Sequence, residues 1–99
     1  MIINYTDGRF KGFRKFRYYI DFSKSRHFVD GPSFWEVREW CWQTYGPSKE
    51  IDSILDDYKY QQFDKVSHSK KWCWQSDNYT QRLYLAGPKE ADWFTLKWL

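Results

Sequence analysis

The sequence predicts an α+β fold: a two-layer sandwich in which a small antiparallel sheet carries helices packed on one face, in the order β-α-(α)-β-β-α. Three observations lead there. Apolar and polar side chains alternate with period two from Phe13 to Phe22. A helix with both ends marked runs over Phe34–Tyr45. Two strand-like runs then flank Asp77-Asn78, and a proline-initiated helical segment follows at once. The 99 residues make one domain, 1–99, with no room for a second core.

At the start of the chain, Asp7-Gly8 is a hairpin turn between Ile2–Thr6 and the segment that follows. In the strand beyond, Phe16, Tyr18, Ile20 and Phe22 point one way and Lys15, Arg17, Tyr19 and Asp21 the other. Ser23 to Pro32 reads as a loop. Ser33-Phe34-Trp35-Glu36 is then a capping box, in which Ser33 accepts from the Glu36 amide and Glu36 reaches back. Phe34, Val37, Cys41 and Tyr45 form the apolar stripe of this helix, with Trp40 flanking it. Gly46 supplies a left-handed stop and Pro47 prevents continuation.

Ile51, Ile54, Leu55 and Tyr58 have helical spacing after a Ser48 cap, which gives one short helix. Lys59 to Lys70 is polar and reads as an irregular connection. Lys71–Ser76 and Tyr79–Ala86 are two strands around a type I′ turn at Asp77-Asn78. A two-residue loop pairs Ser76 with Tyr79, Trp74 with Gln81 and Trp72 with Leu83. One face then carries Trp72, Trp74, Leu83 and Leu85, and the other Lys71, Cys73, Thr80, Arg82 and Tyr84. Gly87-Pro88 opens the last helix, whose apolar stripe is Ala91, Phe94, Thr95 and Trp98.

Composition shapes the functional reading. Leu, Ile and Val are scarce, while Trp (7), Tyr (8) and Phe (8) make up 23% of the chain. Each ring buries about 150–250 Å², so these are more rings than a core this small needs, and some belong at the surface. The net charge of +3 is too modest for a protein that coats DNA. Two cysteines are no disulfide framework and point to a reducing compartment. The N-terminus lacks the pattern of a signal peptide and no apolar stretch is long enough to span a bilayer. The chain is therefore expected in the cytoplasm, without a membrane partner.

No chemistry stands out. Cys41, Cys73, His27 and His68 form no close ligand pair, so neither a metal nor any other cofactor is expected. Cys73 lies beside Lys71 and Arg82, which would depress a thiol pKa, but a half-exposed strand cysteine is the plainer reading. Glu50, Asp52, Asp56 and Asp57 make a solvated helix face. Phosphate-binding loops and the nucleophile-elbow pattern are absent, and no enzyme is expected.

Two binding surfaces remain. Trp35, Trp42 and Trp93 fall off the apolar stripes of their helices, where a surface tryptophan serves as an anchor for a protein partner. Uncovered rings would equally serve a homodimer. Lys15, Arg17, Tyr19, Lys71, Arg82 and Tyr84 share one sheet face. Rings framed by cations on an open sheet are how single-stranded nucleic acid is stacked and held. An ordinary solvated sheet face has the same composition.

Glu39-Trp40-Cys41 in the first helix and the terminal Phe94-x-Leu96-Lys97-Trp98 resemble small accessory proteins of tailed bacteriophages. The resemblance covers those two segments and carries over no functional residue. It implies a viral protein in the bacterial host cytoplasm that binds and redirects or inhibits a host or viral macromolecule, or counters a defence system. The expectation is thus a non-enzymatic inhibitor or modulator acting by stoichiometric binding. A single-stranded nucleic-acid binder is the alternative, and a virion structural component the third.

Overall fold

The computed structural model describes residues 2–10, 15–22, 32–60, 70–77 and 80–99, the side chains of 57–60 excepted. Four strands, β1 (Asn4–Tyr5), β2 (Tyr18–Asp21), β3 (Trp72–Ser76) and β4 (Gln81–Leu85), form one sheet in the order β1-β2-β4-β3. Every neighbouring pair is antiparallel. The helices are α1 (Phe34–Tyr45), α2 (Ile51–Tyr60) and α3 (Pro88–Trp98). This is the α+β class that the sequence predicts.

Strand alternation places the core. Ile20, Trp72, Leu83 and Leu85 meet Phe34, Val37 and Cys41 of α1 and Ala91 and Phe94 of α3 in one buried cluster. These two helices form the layer expected on one face of the sheet. They are joined by the Tyr45 hydroxyl, which donates to the Glu90 carbonyl at 2.7 Å. Trp40 stands edge-on to Phe94 and Trp98, with ring centroids 5.9 and 6.0 Å away. Thr95 does not join the α3 stripe: it is exposed, and its hydroxyl donates to the Ala91 carbonyl at 2.9 Å.

The opposite sheet face is not open. Ile51 and Ile54 of α2 pack with Cys73, Tyr84 and Phe16 into a second buried cluster. Period two in the strands had set Cys73 and Tyr84 on that side, and α2 crosses over to cover them. Phe16 joins them because regular alternation fails just before β2. Thr6 takes both the Phe16 carbonyl, through its hydroxyl at 2.8 Å, and the Arg17 carbonyl, through its amide at 2.9 Å. The regular pairing runs no further than Arg17, and Phe16 beyond it is no longer held to the alternation of β2.

Local chemistry explains the other boundaries. Ser33 Oγ accepts from the Glu36 amide at 3.1 Å, which is the Ser33 half of the expected capping box. Gly46 closes α1 at φ 100° and ψ 165°, an extended positive-φ conformation in place of the left-handed helical one expected. Ser48 does not cap α2. It is buried and its hydroxyl donates to the Trp72 carbonyl at 2.7 Å, while Glu50 accepts from the Asp52 amide at 3.0 Å. The β3–β4 register is Ser76↔Gln81, Trp74↔Leu83 and Trp72↔Leu85. The loop is thus four residues long. The Asp77 carboxylate accepts from the Thr80 amide at 2.7 Å, which stabilises the wider turn. Relative to the two-residue loop the pairing slips by two, so every side chain keeps its face. In the first hairpin, the Phe10 amide donates to the Asp7 carbonyl at 3.0 Å, and Gly8 lies inside that turn. The irregular connection expected over Lys59–Lys70 starts later, because 59–60 belong to α2; 61–69, like 23–31, His27, His68 and Asn78, lie outside the described residues.

Candidate binding surfaces

One face is built on α1. Trp35 stands 56% exposed at its start, and Arg38 and Trp42 follow on the same side of the helix. Trp74 of β3, an edge strand, rises beside them. The Arg38 guanidinium carbon lies 4.1 Å from the Trp74 ring centre, 5.5 Å from Trp42 and 5.8 Å from Trp35. Trp42 and Trp74 lie 6.3 Å apart. The indole faces hold the cation by their negative quadrupoles. No carboxylate among the described residues pairs with it, and its Nε is buried without an acceptor. The sequence pointed to Trp35 and Trp42 here, and the structure adds Arg38 and Trp74. The i+3 and i−4 spacing of Arg38 from the two tryptophans was the available signal.

A second face lies on α3. Trp93 is 51% exposed and Leu96 85%, and both point away from the Ala91 and Phe94 stripe, with Leu99 exposed beyond them. Trp93 makes no ring contact with the α1 tryptophans. A small cleft of about 120 Å³ separates it from Lys71, Lys89 and Tyr45. Leu96 was legible only as part of the terminal segment.

The six residues of the expected nucleic-acid platform are not one open surface. Lys15, Arg17 and Lys71 are exposed. Tyr84 is 1% exposed under α2, and its hydroxyl donates to Gln75 Oε1 at 2.7 Å, so it offers no ring face to a base. Tyr19 is half-buried beneath Phe10, with centroids 4.7 Å apart. Arg82 donates to Asp21 Oδ2 at 3.3 Å and lies over Phe10 and Tyr19. Burial works against the Arg82 charge, but the Tyr84 hydroxyl and the Asp21 carboxylate outweigh it and raise its pKa. A groove of about 460 Å³ runs past Arg82, Tyr84, Gln75, Phe10 and Arg9. Its second cation, Arg9, is paired with Asp7 at 2.8 Å, an ion pair that also lowers the Asp7 pKa.

Neither cysteine is poised for chemistry. Cys41 and Cys73 are fully buried, and burial pushes both thiols well above their ordinary range. The half-exposed Cys73 expected from the strand pattern, with a thiol depressed by Lys71 and Arg82, is therefore corrected: α2 buries it. Among the described residues no group of His, Cys, Asp and Glu could hold a metal ion, and no helix is long and apolar enough to cross a membrane. No family model matches the chain, and neither a curated protein nor a solved structure is significantly similar to it.

Proposed function

We propose that this chain is a non-enzymatic binding protein, a viral accessory protein of the bacterial cytoplasm that blocks or redirects a host or viral macromolecule. The observation that supports this is the exposure on α3 of large apolar side chains, Trp93 among them, that the core does not need. Phe94 and Ala91 already fill the inner side of α3, yet Trp93, Leu96 and Leu99 stand in water on its outer side. Contiguous apolar surface of this kind is characteristic of interaction sites, and tryptophan is among the residues enriched at their centres. The mechanism is occlusion: rigid rings cover a site on the target, and Lys89 and Lys71 beside Trp93 fix orientation.

A tagged pull-down from bacterial lysate, run with and without nuclease, tests this. A stoichiometric partner should survive nuclease and be lost with Trp93→Ala. Recovery of nucleic acid alone, with every protein lost after digestion, would sink the proposal and restore Lys15, Arg17 and Lys71 as the residues to pursue.

A further inference from the structure

We propose that the outer face of α1 is a self-association surface, on which two copies pair antiparallel about a two-fold axis and Arg38 of each meets Glu39 of the other. Trp35, Arg38, Glu39 and Trp42 follow the i, i+3, i+4, i+7 spacing of one helix face. They read Trp-x-x-Arg-Glu-x-x-Trp, which is symmetric about the 38–39 peptide with the charge inverted across it. A two-fold interface requires a patch complementary to itself, in which residue i meets j and j meets i. Antiparallel pairing provides this: Trp35 faces the second copy's Trp42, and Arg38 faces its Glu39. Parallel pairing would set Arg38 against Arg38.

The surroundings allow it. One flank of α1 is closed by α3 through Trp40. The other flank, bearing Arg38, lies beside the Trp74 ring of β3, whose backbone edge is bridged at that residue by Glu50. A second helix can therefore lie there at the usual ~8–10 Å spacing without meeting α3. Among the described residues of one chain both charges are also unmatched. Arg38 has three indoles and no acid among the described residues, and the Glu39 carboxylate accepts from the Gln43 amide at 3.0 Å without a cation. The rings hold the guanidinium in place, so little freedom is lost when a carboxylate arrives. A phosphate-dense strand fits this face poorly, because Glu36 and Glu39 flank its single cation. The inference goes beyond the proposed function and leaves Trp93 free for another partner.

Sedimentation velocity over a concentration series tests it on the full chain, with circular dichroism confirming the fold of each variant. The native chain should form a dimer. Arg38→Glu and Glu39→Arg should each weaken it roughly tenfold or more, since each removes two symmetric pairs and opposes like charges. The double exchange should restore it, and Trp93→Ala should leave it unchanged. Glu39 is exposed, so Glu39→Arg remains informative even if Arg38→Glu unfolds. A chain that stays monomeric at its highest attainable concentration overturns the proposal and leaves α1 to a different, acidic partner. A dimer indifferent to both charges, or one broken by Trp93→Ala, also overturns it. Failure of the native chain to recover any nuclease-resistant partner, with the dimer intact, would count against the proposed function alone.

Discussion

Replacing Tyr84 with alanine separates a buried ring from a stacking platform. The side chain is enclosed by Ile51, Ile54, Cys73 and Phe16, and its hydroxyl donates to Gln75 at 2.7 Å. Removing a buried aromatic ring costs about 3–5 kcal/mol in lost transfer energy and cavity. Tyr84→Phe keeps the ring and loses only the hydrogen bond, about 1 kcal/mol. A domain of this size has about 5–15 kcal/mol in total, so the alanine variant should sit near the edge of stability. At roughly 4–8 °C per kcal/mol, its melting temperature should fall by about 12–40 °C, and that of the phenylalanine variant by about 4–8 °C. Urea unfolding followed by tryptophan fluorescence gives both free energies. Asp92→Ala, at an exposed position of α3, serves as the control and should stay within about 0.5 kcal/mol of the native chain. An alanine variant that loses less than about 1 kcal/mol would refute the placement of α2 over this face.

Other perturbations follow from the same packing. Gly46→Ala should cost about 1–3 kcal/mol, because φ 100° with ψ 165° is open almost only to glycine; an unchanged urea midpoint would contradict that backbone. Stability should be complete below about pH 8.5 and fall as pH rises, since burial keeps Cys41 and Cys73 protonated while the unfolded thiols ionise near their ordinary values. The native chain then binds more protons than the unfolded one, and the loss approaches about 1.4 kcal/mol per pH unit for each thiol. Tyr45 and Tyr84, also raised by burial, add to it from about pH 10. Urea midpoints from about pH 8 to 10 report the slope, and replacing both cysteines with alanine should flatten its first part. Trp93→Ala should change stability by less than about 0.5 kcal/mol, and a large loss would place that ring in the core.

Most of the architecture was legible because the signals were local. Ser33, Glu36 and Gly46 bracket α1 through contacts within one turn, and the bounds Phe34–Tyr45 follow from them. The two later strands were legible for a similar reason, and a loop two residues longer left their faces intact because strand periodicity is two. What failed was long-range. Ser48 looked like a cap by sequence, but the Trp72 carbonyl, 24 residues on, holds its hydroxyl. Phe16 fits the alternation perfectly, yet it lies beyond the paired residues of β2 and packs with Cys73 and Tyr84 on the other side.

The candidate surfaces divide in the same way. Alternation tells which side chains share a sheet face and is silent on what covers that face. Lys15, Arg17, Tyr19, Lys71, Arg82 and Tyr84 share a side by spacing alone, and nothing in their own stretches reports that Ile51 and Ile54 close over Tyr84. A tryptophan displaced from a helix stripe is a stronger signal, because the stripe that excludes it is complete in the same segment. Val37 and Cys41 fill the inner side of α1, so Trp35 has nowhere to go but outward. Trp74 shows the limit of that logic. It shares the core-facing side of β3 with Trp72, yet it stands on an edge strand, and there the core ends. Facing inward at the edge places its ring beside α1, where it meets Arg38. Strand order, which no single stretch of sequence carries, turns a core position into part of a surface.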